Sequence, residues 1–165
     1  MALPKVCIKK LNRGFTIVEV IIVMGLLALI GSWGLFSGME TFRGNLFRGD
    51  RDMAVASLRR ARSLAIDNIC LGAGCIDGKS HGVHFDPEEK RIVIFQGVDF
   101  IGRNQAVDEI IKFGDSAVYV DSPFAFDIVF ERLSGDSIAR AAVLKDDRGH
   151  VSTISINSSG RIDWQ

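Results

Sequence analysis

The chain has 165 residues, with 20 Lys and Arg against 20 Asp and Glu, so its formal net charge is zero. Its length allows one domain of ordinary size in addition to a membrane segment. The charge balance excludes a general attraction to phosphate backbones, because such binding draws on clustered Lys and Arg. A basic patch could exist only locally.

The N-terminal region is basic at first and then apolar. From Phe15 to Met39 there are 25 residues with one charged side chain, Glu19. As a helix at about 1.5 Å per residue, this run reaches about 37 Å, which exceeds a hydrocarbon core of about 30 Å. The basic flank predicts that the first residues stay in the cytoplasm and that the rest lies outside it. The charged side chains before the run are all basic: Lys5, Lys9, Lys10 and Arg13.

Glu19 is the informative residue of the apolar run. A carboxylate inside such a helix costs about 2.5 to 3.5 kcal/mol on insertion scales, so Glu19 needs a partner. A cut between Gly14 and Phe15 would create an N-terminal amine, a cation at a suitable depth. A short basic leader, then Gly, Phe and a Glu as fifth residue of the apolar helix, resembles the type IV prepilin signal of pilins and type II secretion pseudopilins.

This resemblance implies a processing pathway and a location. A membrane-embedded prepilin peptidase would cleave after Gly14 and N-methylate Phe15, and Glu19 would direct assembly with other pilin or pseudopilin subunits. The protein would cross the inner membrane once before it enters a pilus or pseudopilus. The alternatives are an uncleaved signal anchor or a secretory signal, but no A-x-A-like site follows the apolar run.

The cysteines divide at the predicted cut. Cys7 belongs to the leader and would be lost with it. Cys70 and Cys75 remain in the part predicted to lie outside the cytoplasm, where disulfides persist. We therefore expect a bridge between Cys70 and Cys75, with two free thiols as the alternative.

A helical period returns after the apolar run. The apolar positions are spaced by three or four residues, which predicts one face of an amphipathic helix that continues the first one. Together they predict one long helix from about Thr16 to Asn68, weakened near Gly44 and Gly49 because each Gly costs about 1 kcal/mol against Ala. The apolar face comprises Ala54, Leu58, Ala61, Ala65 and Ile69, and the opposite side carries Arg59, Arg60, Arg62 and Asp67.

The remaining sequence alternates with period two and predicts short antiparallel strands. The turn Asp86–Lys90 predicts a hairpin. Phe124, Phe126, Ile128 and Phe130 alternate and are expected to line one buried sheet face. The predicted strands are His81–Phe85, Arg91–Gln96, Glu109–Phe113, Ala117–Val120, a strand over 124–130, Ile138–Leu144, Val151–Ile156 and Arg161–Trp164.

These elements predict an α+β fold of the pilin-like kind, in which a long N-terminal helix packs on a C-terminal antiparallel β domain. The predicted segments are a leader (1–14), a transmembrane or filament-core helix (15–39), its amphipathic continuation (40–69) and a globular β domain (70–165). The second half also resembles the GspH/FimT branch of minor pilins and pseudopilins. That resemblance is carried by Ser57–Ile66, Gly82–Phe85 and Ile154–Ile162.

Two further patterns could bind nucleotide or zinc. Ala73–Ser80 fits a relaxed Walker A pattern, but it follows a predicted helix and precedes a strand, the reverse of a P-loop. Cys70, Cys75, His81 and His84 could be zinc ligands, but their spacings depart from those of structural zinc sites. We expect a disulfide and surface histidines instead.

The remaining charged patterns are interpreted as solvated surface residues rather than as binding sites. Asp146 and Asp147 lie in a Gly-containing turn and are expected to be solvated rather than to bind calcium. The arginines at 59, 60 and 62 are expected to form a solvated helix face rather than a DNA contact. No nucleophile elbow of the G-x-S-x-G kind occurs.

The sequence thus predicts a minor pilin or pseudopilin, a structural subunit without enzymatic activity, cofactor or metal. The alternatives are a DNA-binding minor pilin of a natural-competence apparatus and a membrane-anchored binding domain. For the DNA-binding alternative we expect a basic C-terminal surface, yet the tail Gly160–Gln165 holds one Arg and one Asp.

Overall fold

The computed structural model describes residues 16–113, 119–120, 122 and 124–165. The chain divides into two compact units, with the boundary between Thr41 and Phe42. The predicted boundary between the transmembrane helix and its continuation lies two residues earlier, between Met39 and Glu40.

One α-helix, α1, spans Ile17–Ile66. Its bounds agree with the predicted helix of about Thr16 to Asn68. The helix continues through Gly44 and Gly49 without interruption. The weakening that is expected there, about 1 kcal/mol for each Gly against Ala, stays a prediction.

Within the described residues, the second unit contains the C-terminal part of α1, eight strands and one short 3₁₀ helix, Gln105–Val107. Most predicted strands are confirmed to within two residues, although residues 117–118 of one of them lie outside the described part. The strands are β1 (His81–Asp86), β2 (Arg91–Gln96), β3 (Glu109–Lys112), β4 (Tyr119–Val120), β5 (Phe126–Phe130), β6 (Arg140–Lys145), β7 (Val151–Ile156) and β8 (Ile162–Trp164).

The strands form two antiparallel four-stranded sheets, ordered β3-β2-β1-β5 and β4-β6-β7-β8. The predicted hairpin is confirmed, because β1 pairs with β2 in a register that places Asp86 opposite Arg91. Asp86 also accepts a hydrogen bond from the backbone N–H of Glu89, at 3.1 Å, and thereby holds the turn closed.

One hydrophobic core joins residues 47–65 of α1 to both sheets. The helix presents small side chains, Ala54, Ala61 and Ala65, around a fully buried Leu58. Ile69, predicted for the same face, lies beyond the helix end and is about one-third exposed. Facing them are Val83, Phe85, Ile92, Ile94, Ile128 and Phe130 from the first sheet and Val120, Ala142, Leu144, Ile154 and Ile156 from the second.

The predicted phenylalanine face is confirmed only in part. Ile128 and Phe130 are buried and Phe126 is half-buried. The prediction is wrong for Phe124, which precedes β5 and has a side chain that is 78% exposed. The chain bends just before β5, and the Ser122 hydroxyl donates a hydrogen bond to the carbonyl oxygen of Phe124 at 2.7 Å. The alternating pattern therefore begins two residues before the strand does.

Candidate functional site

The N-terminal part of α1 has the length and composition of a membrane-spanning helix. The window Ile17–Gly34 has a mean hydropathy of 2.2, and none of its residues is buried in the chain. Its 18 residues span about 27 Å at 1.5 Å each, close to the thickness of a hydrocarbon core. It is the one such segment within the described residues.

Glu19 lies in the first turn of this helix. The Thr16 hydroxyl accepts a hydrogen bond from the backbone N–H of Glu19, at 3.2 Å, and so serves as the N-terminal cap. The Glu19 carboxylate itself has no partner among the described residues. Ser32, another polar residue of the segment, satisfies its hydroxyl within the helix by donating to the carbonyl oxygen of Ala28, at 2.7 Å.

These two side chains therefore differ in what they require from outside the chain. The Ser32 hydroxyl can enter an apolar environment with its hydrogen bond already made. The Glu19 carboxylate would enter it unpaired, which is costly unless a cation is supplied. The predicted cleavage and methylation residues, Gly14 and Phe15, lie outside the described residues, so their prediction stays as it was made.

Cys70 and Cys75 form a disulfide in the structure, with their Cα atoms 5.7 Å apart. The side chain of Gln96, at the end of β2, holds the same loop. Its Oε1 accepts a hydrogen bond from the backbone N–H of Leu71 at 2.6 Å, and its Nε2 donates to the Leu71 carbonyl at 3.2 Å. The sequence does not indicate this role of Gln96, because nothing local to it points to a contact 25 residues away.

Both histidines of the possible zinc set are buried, so the expectation of surface histidines is wrong. His81 Nδ1 donates to the Lys79 carbonyl at 3.1 Å, and burial lowers the pKa of His81 more than this hydrogen bond raises it. His84 Nδ1 contacts a carboxylate oxygen of Asp127 at 2.6 Å. Within the described residues, no three His, Cys, Asp or Glu side chains form a group that could hold a metal ion.

The burial of His84 follows from the loop over the outer face of the first sheet. The ring of His84 stacks on that of Phe100, with centroids 3.5 Å apart. The guanidinium of Arg103 lies 3.5 Å from the centroid of the Phe100 ring. Arg103 in turn forms a partly buried ion pair with Asp108 at 2.7 Å. Both faces of β1 are therefore covered, which the strand's sequence alone did not indicate.

The turn between β6 and β7 uses its first carboxylate internally. Asp146 is buried rather than solvated, and it accepts hydrogen bonds from His150 Nδ1 at 2.6 Å and from the backbone N–H groups of Arg148 and His150. Burial raises the pKa of Asp146, but these hydrogen bonds together outweigh it and the pKa is lowered. Asp147 is exposed, as predicted.

The Walker-like segment does not form a phosphate-binding loop. A P-loop requires a helix that begins directly after the Lys-Ser pair, so that backbone N–H groups face the phosphates. Here β1 begins at His81, directly after Lys79 and Ser80. The N–H of Lys79 is also occupied, because it donates to the carbonyl oxygen of Ile69 at 3.3 Å.

The three helix arginines have different environments. Arg60 forms an exposed ion pair with Glu109, its Nε 2.8 Å from the carboxylate. The Arg59 guanidinium lies 5.1 Å from the ring centroid of Trp164, on β8. Arg62 is half-buried rather than solvated, and its Nη2 donates to the carbonyl oxygen of Ser159 at 3.2 Å. The fold thus joins helix arginines to the C-terminal strand, a contact that only long-range structure could reveal.

Comparison with models of known protein families gives a match at the N-terminus. Residues 9–35 match a family model described as the prokaryotic N-terminal methylation motif. The matched range contains Gly14, Phe15 and Glu19 and the whole exposed apolar segment Ile17–Gly34. No curated protein and no solved structure matches the chain.

Proposed function

We propose that this chain, a type IV pilin-like protein with a prepilin-type N-terminal signal, is a minor pilin or pseudopilin. It acts as a structural subunit of a type IV pilus or a type II secretion pseudopilus. The observation that carries this proposal is that, within the segment matched by the methylation motif, residues Ile17–Gly34 form a helix whose apolar side chains are all exposed. Such a segment requires lipid before assembly and other helices after it.

The proposed maturation begins with cleavage after Gly14 and N-methylation of Phe15 by prepilin peptidase. The new amine lies four residues before Glu19, about one helical turn. It can therefore approach the carboxylate of its own chain or that of a neighbouring subunit. Pairing offsets the cost of burying each charge alone, so it favours the assembled position in which both charges have a partner.

The proposed topology follows from charge and from the cysteines. The basic leader keeps the N-terminus in the cytoplasm, and the second unit lies outside the cytoplasm. The Cys70–Cys75 disulfide is consistent with this location, because such bonds persist in oxidising compartments.

We assign no catalytic role to the β domain. Its close His-carboxylate pairs are engaged in holding the fold: His84 with Asp127 under the stacked Phe100, and Asp146 with His150 in a turn. We also propose that the chain belongs to the GspH/FimT branch. The helix segment of the branch pattern, Ser57–Ile66, supplies the face that packs on both sheets, and its Gly-Val-x-Phe strand lies within β1.

The first experiment determines the N-terminus. The full chain is expressed with and without prepilin peptidase, and intact mass and N-terminal sequencing are measured on the membrane fraction. We expect a chain that starts at N-methylated Phe15 only when the peptidase is present. An intact Met1 start beside active peptidase would reject the proposal and leave a membrane-anchored binding domain.

The second experiment tests the role of Glu19. Glu19→Ala should be cleaved normally but should lose most of its incorporation into filaments, because the mature amine then has no carboxylate to pair with. Ser32→Ala is the matched control, since Ser32 already bonds within its own helix. Incorporation is measured by immunoblot of sheared filaments, and normal incorporation of Glu19→Ala would contradict the assembly role.

A further inference from the structure

A cavity of about 400 Å³ lies where the last turns of α1 meet β8. Three arginines line it, Arg59, Arg62 and Arg161, and we call it the arginine cavity. One carboxylate, that of Asp67, also lines it. Ser63 donates a hydrogen bond to this carboxylate at 3.0 Å.

The arginines retain hydrogen-bonding capacity that the described chain does not use. Each guanidinium carries five N–H donors. Arg59 has no carboxylate partner within the described residues and lies against Trp164. Arg62 uses Nη2 on the Ser159 carbonyl, while its Nε is buried without a hydrogen-bond partner in the described part. Arg161 pairs with Asp163 at 3.1 Å, but both side chains are largely exposed.

The cavity is positive on a chain that is otherwise acidic. Its lining carries three positive charges and one negative. The whole chain is neutral, and removal of the leader with its four basic residues leaves an excess of four acidic ones. Arginine forks match carboxylates in bidentate geometry, and such charge-assisted bonds are the stronger hydrogen bonds of proteins.

We propose that the arginine cavity binds carboxylate side chains of an acidic segment from a protein partner. The identification of that partner as a neighbouring filament subunit rests on the proposed function. The chemistry of the cavity does not, because it follows from the three guanidinium groups alone. A carboxylate in the cavity would contact donors on α1 and on the C-terminal strand together, and so link the partner to both elements.

The surroundings favour an acidic peptide over a nucleic acid. Nucleic acids without a fixed sequence bind along extended basic grooves with free aromatic rings for base stacking. Here Trp164 has the guanidinium of Arg59 at 5.1 Å and that of Arg51 at 6.0 Å from its ring centroid. Asp67 lies beside the arginines and Asp163 pairs with Arg161, so the basic surface is short and does not form the extended groove that a nucleic acid follows.

The test measures binding of a fluorescent hexaglutamate peptide to the full chain in detergent by fluorescence anisotropy. Arg59→Gln and Arg161→Gln should each weaken binding about tenfold, as expected for loss of a charged hydrogen bond. Arg60→Gln is the matched control, because Arg60 lies on the same helix but outside the cavity and pairs with Glu109. It should leave the affinity unchanged, and a hexaglutamine peptide should not bind.

Three outcomes would overturn the proposal. They are no binding of hexaglutamate, binding that survives both cavity substitutions, and an equal loss with Arg60→Gln. A single-stranded oligonucleotide that binds more tightly and loses affinity in the same two variants would assign the cavity to nucleic acid instead. This assay needs no filament. If the unchanged chain failed to enter filaments but still bound the peptide, the proposed function would be rejected and the proposal for the arginine cavity would stand.

Discussion

The two ends of α1 are both apolar, but they differ in what covers them. Between Ile17 and Gly34 every residue is exposed, and the large side chains include Leu29 and Trp33. Between Ala54 and Ala65 one face is buried against both sheets. The first region is uniformly apolar and the second is apolar on one side only. Uniform hydrophobicity thus marks a surface to be covered by lipid or other subunits, and one-sided hydrophobicity marks a surface covered by the chain itself.

The largest expected effect separates these two regions directly. Leu58→Ala removes a fully buried side chain and should lower the free energy of unfolding by about 3 kcal/mol, because a cavity remains. Leu29→Ala removes a side chain that is 70% exposed and should change it by less than about 0.5 kcal/mol. Urea unfolding of the detergent-solubilised chain measures both, and similar losses for the two variants would contradict the comparison.

The next prediction concerns the end of α1, where two turns of the β domain meet the helix. Gly160 has a positive φ of 69°, and a Cβ atom there would collide with the carbonyl oxygen of Gly135. Gly160→Ala should therefore cost about 3 kcal/mol, from left-handed backbone strain together with overpacking. The measurement is again urea unfolding.

Gly149 provides the matched control. It also has a positive φ, of 89°, but an added Cβ meets nothing within 4 Å. Gly149→Ala should cost only the backbone strain, about 1 kcal/mol. Equal costs for the two variants would show that the close approach of the two turns does not contribute.

The disulfide should have a smaller effect than the core. It closes a loop with a sequence separation of 5, for which chain entropy predicts about 2 kcal/mol. We expect Cys70→Ser with Cys75→Ser to lower the free energy of unfolding by this amount. Intact mass before and after reduction and alkylation checks the bond first, and alkylation of these cysteines without reduction would contradict it.

The smallest effect is pH-dependent and arises from His81. Its folded-state pKa is lowered from the ordinary value of about 6.5, so the unfolded chain binds a proton at higher pH than the folded chain does. Stability is therefore complete above about pH 6.5 and falls as the pH drops below it, by at most about 1.4 kcal/mol per pH unit. The physical reason is that a proton on Nε2 would be buried without a hydrogen-bond acceptor in the described residues.

Urea unfolding at pH 7.5 and 5.5 measures this effect. His81→Gln should reduce the difference between the two values, whereas His150→Gln, whose side chain in the native protein is 57% exposed, should leave most of it. An unchanged pH dependence in His81→Gln would assign it to other groups. Asp146, whose pKa is lowered, contributes in a separate acidic range, below about pH 4.

Local patterns were sufficient for the helix, most strands and the prepilin-type signal, because each depends on residues close in sequence. The period of Ala54, Leu58 and Ala61 and the alternation through β1 and β2 are examples. The predicted burial of Phe124 was wrong because alternation does not show where a strand begins. Burial of His84 was missed because it depends on Phe100 and Asp127, which reach it only in the folded sheet.

The candidate sites divide in the same way. Glu19 could be found because a lone charge in an apolar run is visible in sequence. The arginine cavity could not, because Arg59 and Arg161 are about a hundred positions apart and meet only when β8 packs beside α1. The sequence of the tail shows one Arg, but the charge of the surface around Arg161 also depends on Arg59 and Arg62 of the helix.

The two hydrogen bonds between the Gln96 side chain and the Leu71 backbone bear on how the adjacent disulfide forms. Its amide bonds both backbone groups of Leu71 in the disulfide-bonded chain. Neither bond involves a sulfur atom, so we expect both to persist in the reduced chain and to keep Cys70 in position. Cys75 is five residues away in the same loop, and the two sulfurs therefore face each other at high effective concentration. If the β domain lies outside the cytoplasm, as proposed, we expect oxidation to be a fast local closure of a loop that is already folded.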